Sequence, residues 1–275
     1  MSTRLALAAV ALFSCANAVA ALPGTPGTER PPASPLTDYF ALRLTYFQPA
    51  LTTEGRYDSD AGTPGTEFNA EDDFGLDDEA NQGRMELTFR MRERHLLRAD
   101  YFKLNRYGES VLTRQINFGN QVFRPGDRVA TSLDWRMLGF NYSWVALRRE
   151  NWELGVGAGL HLTEADARSE VRARNIRESG SGTAILPTLG VDGTWRINRR
   201  WSAGGFVRYI SVSNSDADGS FGEYHFDVQY RWKPNVAVGL GWSAIRLDAE
   251  VFDADLPGKL KIEASGPELF LRASF

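Results

Sequence analysis

Over long stretches of this chain every second residue is apolar. Phe40, Leu42, Leu44 and Tyr46 alternate with Ala41, Arg43 and Thr45. A period of two belongs to β-strands, whose successive side chains point to opposite faces. The pattern recurs with Met85, Leu87, Phe89 and Met91 set against Glu86, Thr88 and Arg90, and again around Leu97, Ala99 and Tyr101. Leu138, Phe140, Tyr142 and Trp144 form a fourth set, and Trp152 to Leu162 a fifth, with three glycines, Glu153 and His161 on the other face. The second half continues it around Leu189–Trp195, Trp201–Tyr209, Tyr224–Trp232 and Val236–Trp242. At the carboxy-terminus Leu269, Leu271, Ala273 and Phe275 alternate with Phe270, Arg272 and Ser274. About ten strands are predicted, each near the 9–11 residues that cross a membrane at a tilt. Eight or twelve also fit, because the second and third long connections alternate weakly themselves.

The connections add a second periodicity. Short turns fall near Arg92–Arg94, Arg148–Asn151, Asn198–Arg200 and Lys233–Asn235; long polar segments fall near Thr52–Gly83, Asn105–Arg128, Thr163–Gly182, Ser213–Gly219 and Asp248–Lys259. Short–long alternation is what an up-and-down meander gives when one end meets the periplasm and the other the exterior. Five of the 7 tryptophans, Trp144, Trp152, Trp195, Trp201 and Trp232, flank the short turns. An indole is apolar with one N–H that seeks a polar partner, so it settles at a membrane–water interface. Five at one end predict an aromatic girdle.

Two closed sheets fit the alternation. A soluble barrel turns its apolar face inward; a membrane barrel turns it outward. The other face here mixes glycine with Arg43, Glu86, Arg90, Arg98, Asp100, Glu153, Asp192, Arg196, Arg208, Asp227, Arg231, Glu268 and Arg272. Small residues plus charges of both signs fill a narrow polar lumen, where each buried charge needs an opposite partner. Mean hydropathy, −0.33, does not decide, because in a barrel only alternate residues face lipid. The beginning of the chain tips the balance. Arg4, an apolar run from Leu5 to Phe13 and A-x-A sites ending at Ala18 or Ala20 predict a signal peptide over residues 1–20. The only cysteine, Cys15, lies in it. Residues 21–37, rich in Pro, Gly and Thr, predict a flexible linker, and residues 38–275 the barrel.

With the terminal aromatic and the alternation before it, the chain resembles a bacterial outer-membrane β-barrel protein, of the small single-chain, porin-like or OmpA-barrel type. The resemblance implies an all-β, closed, antiparallel, up-and-down transmembrane barrel with long extracellular loops and short periplasmic turns. It also implies that Leu269, Leu271 and Phe275 serve as an assembly signal for the barrel-assembly machinery; Ala273 departs from the bulky residue usual there. Outer-membrane lipid and lipopolysaccharide are the other partners it implies. The formal net charge of −4 offers no footprint for nucleic acid, and no cofactor is expected.

Candidate chemistry is sparse. Glu71, Asp72, Asp73, Asp77, Asp78 and Glu79 offer hard oxygen ligands for a divalent cation, without the spacing of an EF-hand loop. His161, His225 and Asp227 fall on the lumenal face, and with Ser243 they raise the prospect of hydrolysis. The function expected first is a non-enzymatic surface scaffold or narrow porin-like channel with long exposed loops. A rival is a hydrolase of lipid or peptide with the His/Asp site at the barrel mouth. A third reading is a secreted soluble β-barrel that binds a small hydrophobic ligand.

Overall fold

The computed structural model describes residues 34–59, 62–213, 217–251 and 258–275. The expected signal peptide and residues 21–33 of the expected linker lie outside the described residues. The strands are β1 (Phe40–Phe47), β2 (Ala50–Tyr57), β3 (Phe68–Asn69), β4 (Gln82–Met91), β5 (His95–Val111), β6 (Ile116–Phe118), β7 (Gln121–Phe123), β8 (Arg128–Arg148), β9 (Trp152–Val171), β10 (Ile176–Arg196), β11 (Trp201–Ser213), β12 (Ala217–Lys233), β13 (Val236–Val251) and β14 (Gly258–Ser274).

These build a closed antiparallel barrel with ten wall positions. β1 and β2 occupy one of them. Both pair with β14 in a single register, from Ala41↔Ser274 to Phe47↔Glu268 and on from Ala50↔Ser265 to Tyr57↔Gly258. The interruption lies at Gln48–Pro49, opposite Gly266–Pro267. Proline has no N–H to give to the ladder, so two prolines set diagonally across one seam, Pro49 opposite Gly266 and Pro267 opposite Gln48, interrupt it without shifting it. The last strand thus closes on the first, and neither keeps an open edge there.

The faces are those of the inverted barrel. Leu44, Tyr46, Phe89, Phe140, Leu160, Val191, Phe226, Leu240 and Leu269 point outward and are exposed, while Arg90, Asp100, Glu153, Arg208, Glu223, Asp227 and Glu268 are buried inside. Trp144, Trp195, Trp201 and Trp232 stand exposed beside the short turns, with Trp152 half-buried opposite Trp195. At the other edge of the apolar band stand Tyr46, Tyr101, Tyr209, Tyr224 and Trp242, also exposed.

Two regions read as polar connections, Asn105–Arg128 and Thr163–Gly182, are largely strand. β8, β9 and β10 reach 21, 20 and 21 residues. Beyond the apolar band the outward face becomes Glu164, Asp166 and Arg168 while Ala165 and Ala167 keep the inward positions. The alternation persists there with smaller residues, so the ladder continues into water. β9 and β10 join through a single turn in which Asn175 adopts φ +50°.

The interior is layered. Charged side chains fill the turn end. Above them Phe47, Phe102, Leu104, Trp135, Met137, Phe221, Ile245 and Ile262 form a continuous apolar core. Nearest the outer end, Phe74, Leu112, Ile116, Phe118, Phe123 and Val129 make a second cluster, with Phe118 and Phe74 edge-on at 6.1 Å. The alternation marked these positions as lumenal but not as apolar. Trp135 in particular lies wholly buried, with its indole N–H donated to Thr163 Oγ1 at 2.7 Å.

The linker reading also needs correction for its last residues. Ser34 to Thr37 form a turn inside the barrel's lower mouth, where Ser34 and Leu36 are buried. Arg90 donates to Pro35 O and Arg148 to Leu36 O. Asp38 follows with ion pairs to Arg231 at 2.7 Å and Arg272 at 3.5 Å. Composition made this stretch look free; the arginine donors at the mouth hold it.

Candidate functional site

The polar lumen is the densest gathering of reactive side chains. β12 alone turns Glu223, His225, Asp227, Gln229 and Arg231 inward, because alternate residues of one strand share a face. Neighbouring strands supply the opposite charges. Glu223 receives Arg84 at 2.5 Å and Arg208 at 2.7 Å, with His161 Nε2 at 3.8 Å. Arg43 reaches Asp227 at 2.7 Å and Glu268 at 3.1 Å, and its guanidinium lies 3.6 Å from the centre of the Phe270 ring. Arg90 and Glu153 pair through two hydrogen bonds of 2.6 and 3.2 Å. Such bidentate contacts are the strong form of a charge pair.

His225 sits at the centre of one group. Its Nε2 lies 2.8 Å from Asp227 Oδ2, and its Nδ1 lies 2.9 Å from Ser243 Oγ and 3.3 Å from Glu268. A hydroxyl, an imidazole and a carboxylate in this order are within the reach that nucleophilic catalysis requires. The surroundings are unlike a catalytic centre. Ser243 is wholly buried. The adjoining cavity, lined by Arg43, Glu86, Arg98, His225, Asp227 and Arg272 among others, is narrow, about 60 Å³. The structure therefore brings Ser243, His225 and Asp227 together, with the hydroxyl of the group wholly buried. His161 does not join them. It lies among Phe221, Thr188 and Glu223 at 0% exposure.

Glycines make room for this network. A side chain at Gly155 would meet Ser143 and Asp192, and one at Gly159 would meet Asn141 and Thr188. Short polar groups, rather than long cations, occupy the gap.

The acidic segment has become part of the wall. β3 pairs with β2 at Glu54↔Asn69 and Gly55↔Phe68, and single bridges join Ala50 to Glu79 and Leu76 to Gly108. Gly75 takes φ +67°, a conformation that favours glycine. Glu71 pairs with Arg106 at 2.5 Å and accepts from Thr53 N at 2.9 Å. Asp73 pairs with Arg114 at 2.6 Å and accepts from Asn69 N at 3.0 Å. Among the described residues, no three His, Cys, Asp or Glu side chains converge as a metal site would need. The six carboxylates expected to gather around a cation are spread out, and arginines take the places of the cation at Glu71 and Asp73.

The terminal residues lie where pairing requires. Leu269 and Leu271 face outward, and Phe275 O accepts the N–H groups of Tyr39 and Phe40 at 2.8 and 3.0 Å. What sequence reasoning missed is a cavity of about 240 Å³ in the outer half of the barrel, walled by Leu133, Ala165, Ala167, Leu186, Leu247 and Leu260 with Phe68 and Phe118. Alanine and glycine at alternate inward positions of β9 and β10 were its only signal.

No protein-family model and no curated protein sequence matches the chain. Solved structures do. The outer membrane protease OmpT from Escherichia coli is similar with a TM-score of 0.53 and 12% identity over 86% of this chain and 97% of that one. The transport unit of the autotransporter AIDA-I from Escherichia coli gives 0.43 and 9% identity over 97% of both chains. Ail of Yersinia pestis gives 0.37 and 11% over 84% of this chain and 98% of that one. The similarity to OmpT is one of fold, and the fold is that of an outer-membrane β-barrel.

Proposed function

We propose that this protein resides in the bacterial outer membrane as a sealed, non-enzymatic barrel that holds extended hairpins above the surface. The observation that carries the reading is the filled interior. The turn of Ser34–Thr37 occupies the lower mouth, ion pairs fill the lumen above it, and the apolar core around Trp135 and Phe102 lies across the outer half. A barrel of this size has an interior that side chains fill, and desolvated ion pairs resist the passage of solutes. β8, β9 and β10, which extend past the tyrosine ring, then form a rigid platform for contact with the exterior. The outward apolar band between the tryptophans and the tyrosines supports the membrane setting.

The test is twofold. Extraction from outer membranes only by detergent, with faster migration on unboiled gels, is expected. Reconstituted protein should be silent in planar bilayers. Steady unitary conductance from the unaltered chain would refute the sealed barrel in favour of a porin-like channel.

The Ser243–His225–Asp227 contacts favour one second reading, an outer-membrane hydrolase that opens to admit substrate. Under it, His225→Ala would abolish turnover of lipid or peptide esters while leaving the fold intact. Under the scaffold reading, wild type and variant are equally inert.

A further inference from the structure

Among the described residues, one seam of the wall is open. β10 and β11 pair from Arg196↔Ser202 up to Leu189↔Tyr209, where the ladder ends among the described residues. β10 continues upward from Thr188 to Ile176, paired only with β9, and β11 continues from Ile210 to Ser213, paired only with β12. Pro187 sits two residues past the last pair. It can donate no hydrogen bond, which fits an edge rather than a ladder. The other place where the wall thins, between β2 and β5, is closed by the bridges at Glu79 and Leu76.

The cavity of about 240 Å³ lies behind this seam. On β10 its lining includes Gly180, Gly182, Thr183, Ala184 and Leu186, of which Leu186 stands at the seam. Ala165 and Ala167 of β9 continue the same wall, paired with Gly182 and Gly180 in the ladder. Below lies the apolar core, against which Ala165, Leu186 and Leu260 pack. The cavity is therefore closed from below, and Arg56 and Lys259 also line it. From Thr163 to Ala167 it runs along β9 for about 13 Å at roughly 3.3 Å per residue. An apolar cavity of roughly 150 Å³ stays dry and takes up benzene; this one is larger and elongated.

The height of the seam identifies what enters. Its lower end is flanked on the outside by Ile185 and Leu189, 66% and 68% exposed, and by Tyr209 of the upper aromatic ring. An opening at that level faces the outer edge of the hydrocarbon band, where amphiphiles hold the head-group end of their aliphatic chains. We propose that the cavity binds a single aliphatic chain that enters sideways between β10 and β11. An aromatic disk would leave the length of the slot unfilled; a linear chain covers both the alanines of β9 and Leu133 and Leu247 opposite.

The source of the chain is either a free fatty acid or an acyl chain of a membrane lipid, and photolabelling separates the two. The full-length barrel in vesicles is exposed to diazirine-bearing decanoic acid, or to a phosphatidylethanolamine carrying the same diazirine chain, and labelled sites are mapped. Labelling of inward residues on the peptides that contain Leu133, Ala165 and Ala167 is expected from at least one probe. The probe that labels them names the source. Ala165→Phe combined with Ala167→Phe should reduce that labelling at least tenfold. Heat-modifiable migration shows that the variant folds. Should it not fold, Ala165→Leu alone, with competition by unlabelled decanoate against the wild type, supplies the same comparison. Labels confined to outward positions such as Leu160 and Phe226, or labelling of inward positions that neither the filled variant nor decanoate reduces, would overturn the proposal.

Discussion

Glu223 shows how a single buried charge holds this barrel together. It is wholly enclosed, with arginines 84 and 208 against its carboxylate. Removing one partner of a buried pair strands the others, a loss of about 3–5 kcal/mol. Glu223→Ala should therefore lower the stability of the refolded barrel by about that amount in urea titrations in lipid vesicles. A change under about 1 kcal/mol would mean that water reaches the network. Trp135 makes the matching case for the apolar layer. Trp135→Ala removes a fully buried indole and its bond to Thr163, and a loss of about 3–5 kcal/mol is expected by the same titration.

Asp73, in the segment between β3 and β4, carries a pH dependence whose sign can be worked out. Burial raises its carboxyl, but the hydrogen bonds from Arg114 and Asn69 more than offset this and hold it below the ordinary 3.8. A depressed acid contributes stability above its unfolded value and loses it as pH falls through the folded one. Pepsin should thus nick the segment around Asp73 increasingly as pH falls below about 3.8. Asp73→Asn should be nicked at an already raised rate with little further change across that range. Equal pH dependence in both proteins would remove the assignment.

Among the elements, β10 is the one with a divided character. Below Leu189 it is paired on both sides; above it only with β9. Amides of Ile176–Thr188 that point toward β11 should exchange with deuterium in minutes, while those pointing to β9 stay protected far longer. Uniform protection along β10 would show that the seam closes in solution. Ser34–Asp38 is the converse, a short irregular element held by strong partners. Arg90, Arg148, Arg231 and Arg272 all reach into it. Asp38→Ala should destabilise the barrel measurably by leaving two arginines short of a carboxylate.

For the molecule as a whole, closure depends on the last strand meeting the first. Phe275 contributes backbone acceptors to Tyr39 and Phe40, while its ring stands 51% exposed. If the ring serves recognition during assembly, Phe275→Ala should lower the amount reaching the outer membrane several-fold while purified protein refolds into lipid as before. Equal losses in cells and in vitro would assign the ring to stability instead.

The period-two pattern by itself determined the strands and which side chains share a face, because the side on which each residue points is a local property of alternation; a soluble sheet fits the same pattern, so the alternation alone did not say which face points outward. It also placed His225, Asp227 and Ser243 on one face, since strand parity fixes the side on which each points. Three things only the tertiary structure decided. The first is that Ser34–Thr37 lie inside the mouth; a Pro- and Ser-containing turn has no pattern of its own and takes its place from distant arginines. The second is that the carboxylates around Glu71 and Asp73 meet Arg106 and Arg114, residues 35 and 41 positions away along the chain. The third is the seam above Leu189↔Tyr209 and the cavity behind it. Alternation specifies the face of each residue but not how far two neighbouring strands stay paired, and that length is set by how strands of unequal reach pack around a closed wall.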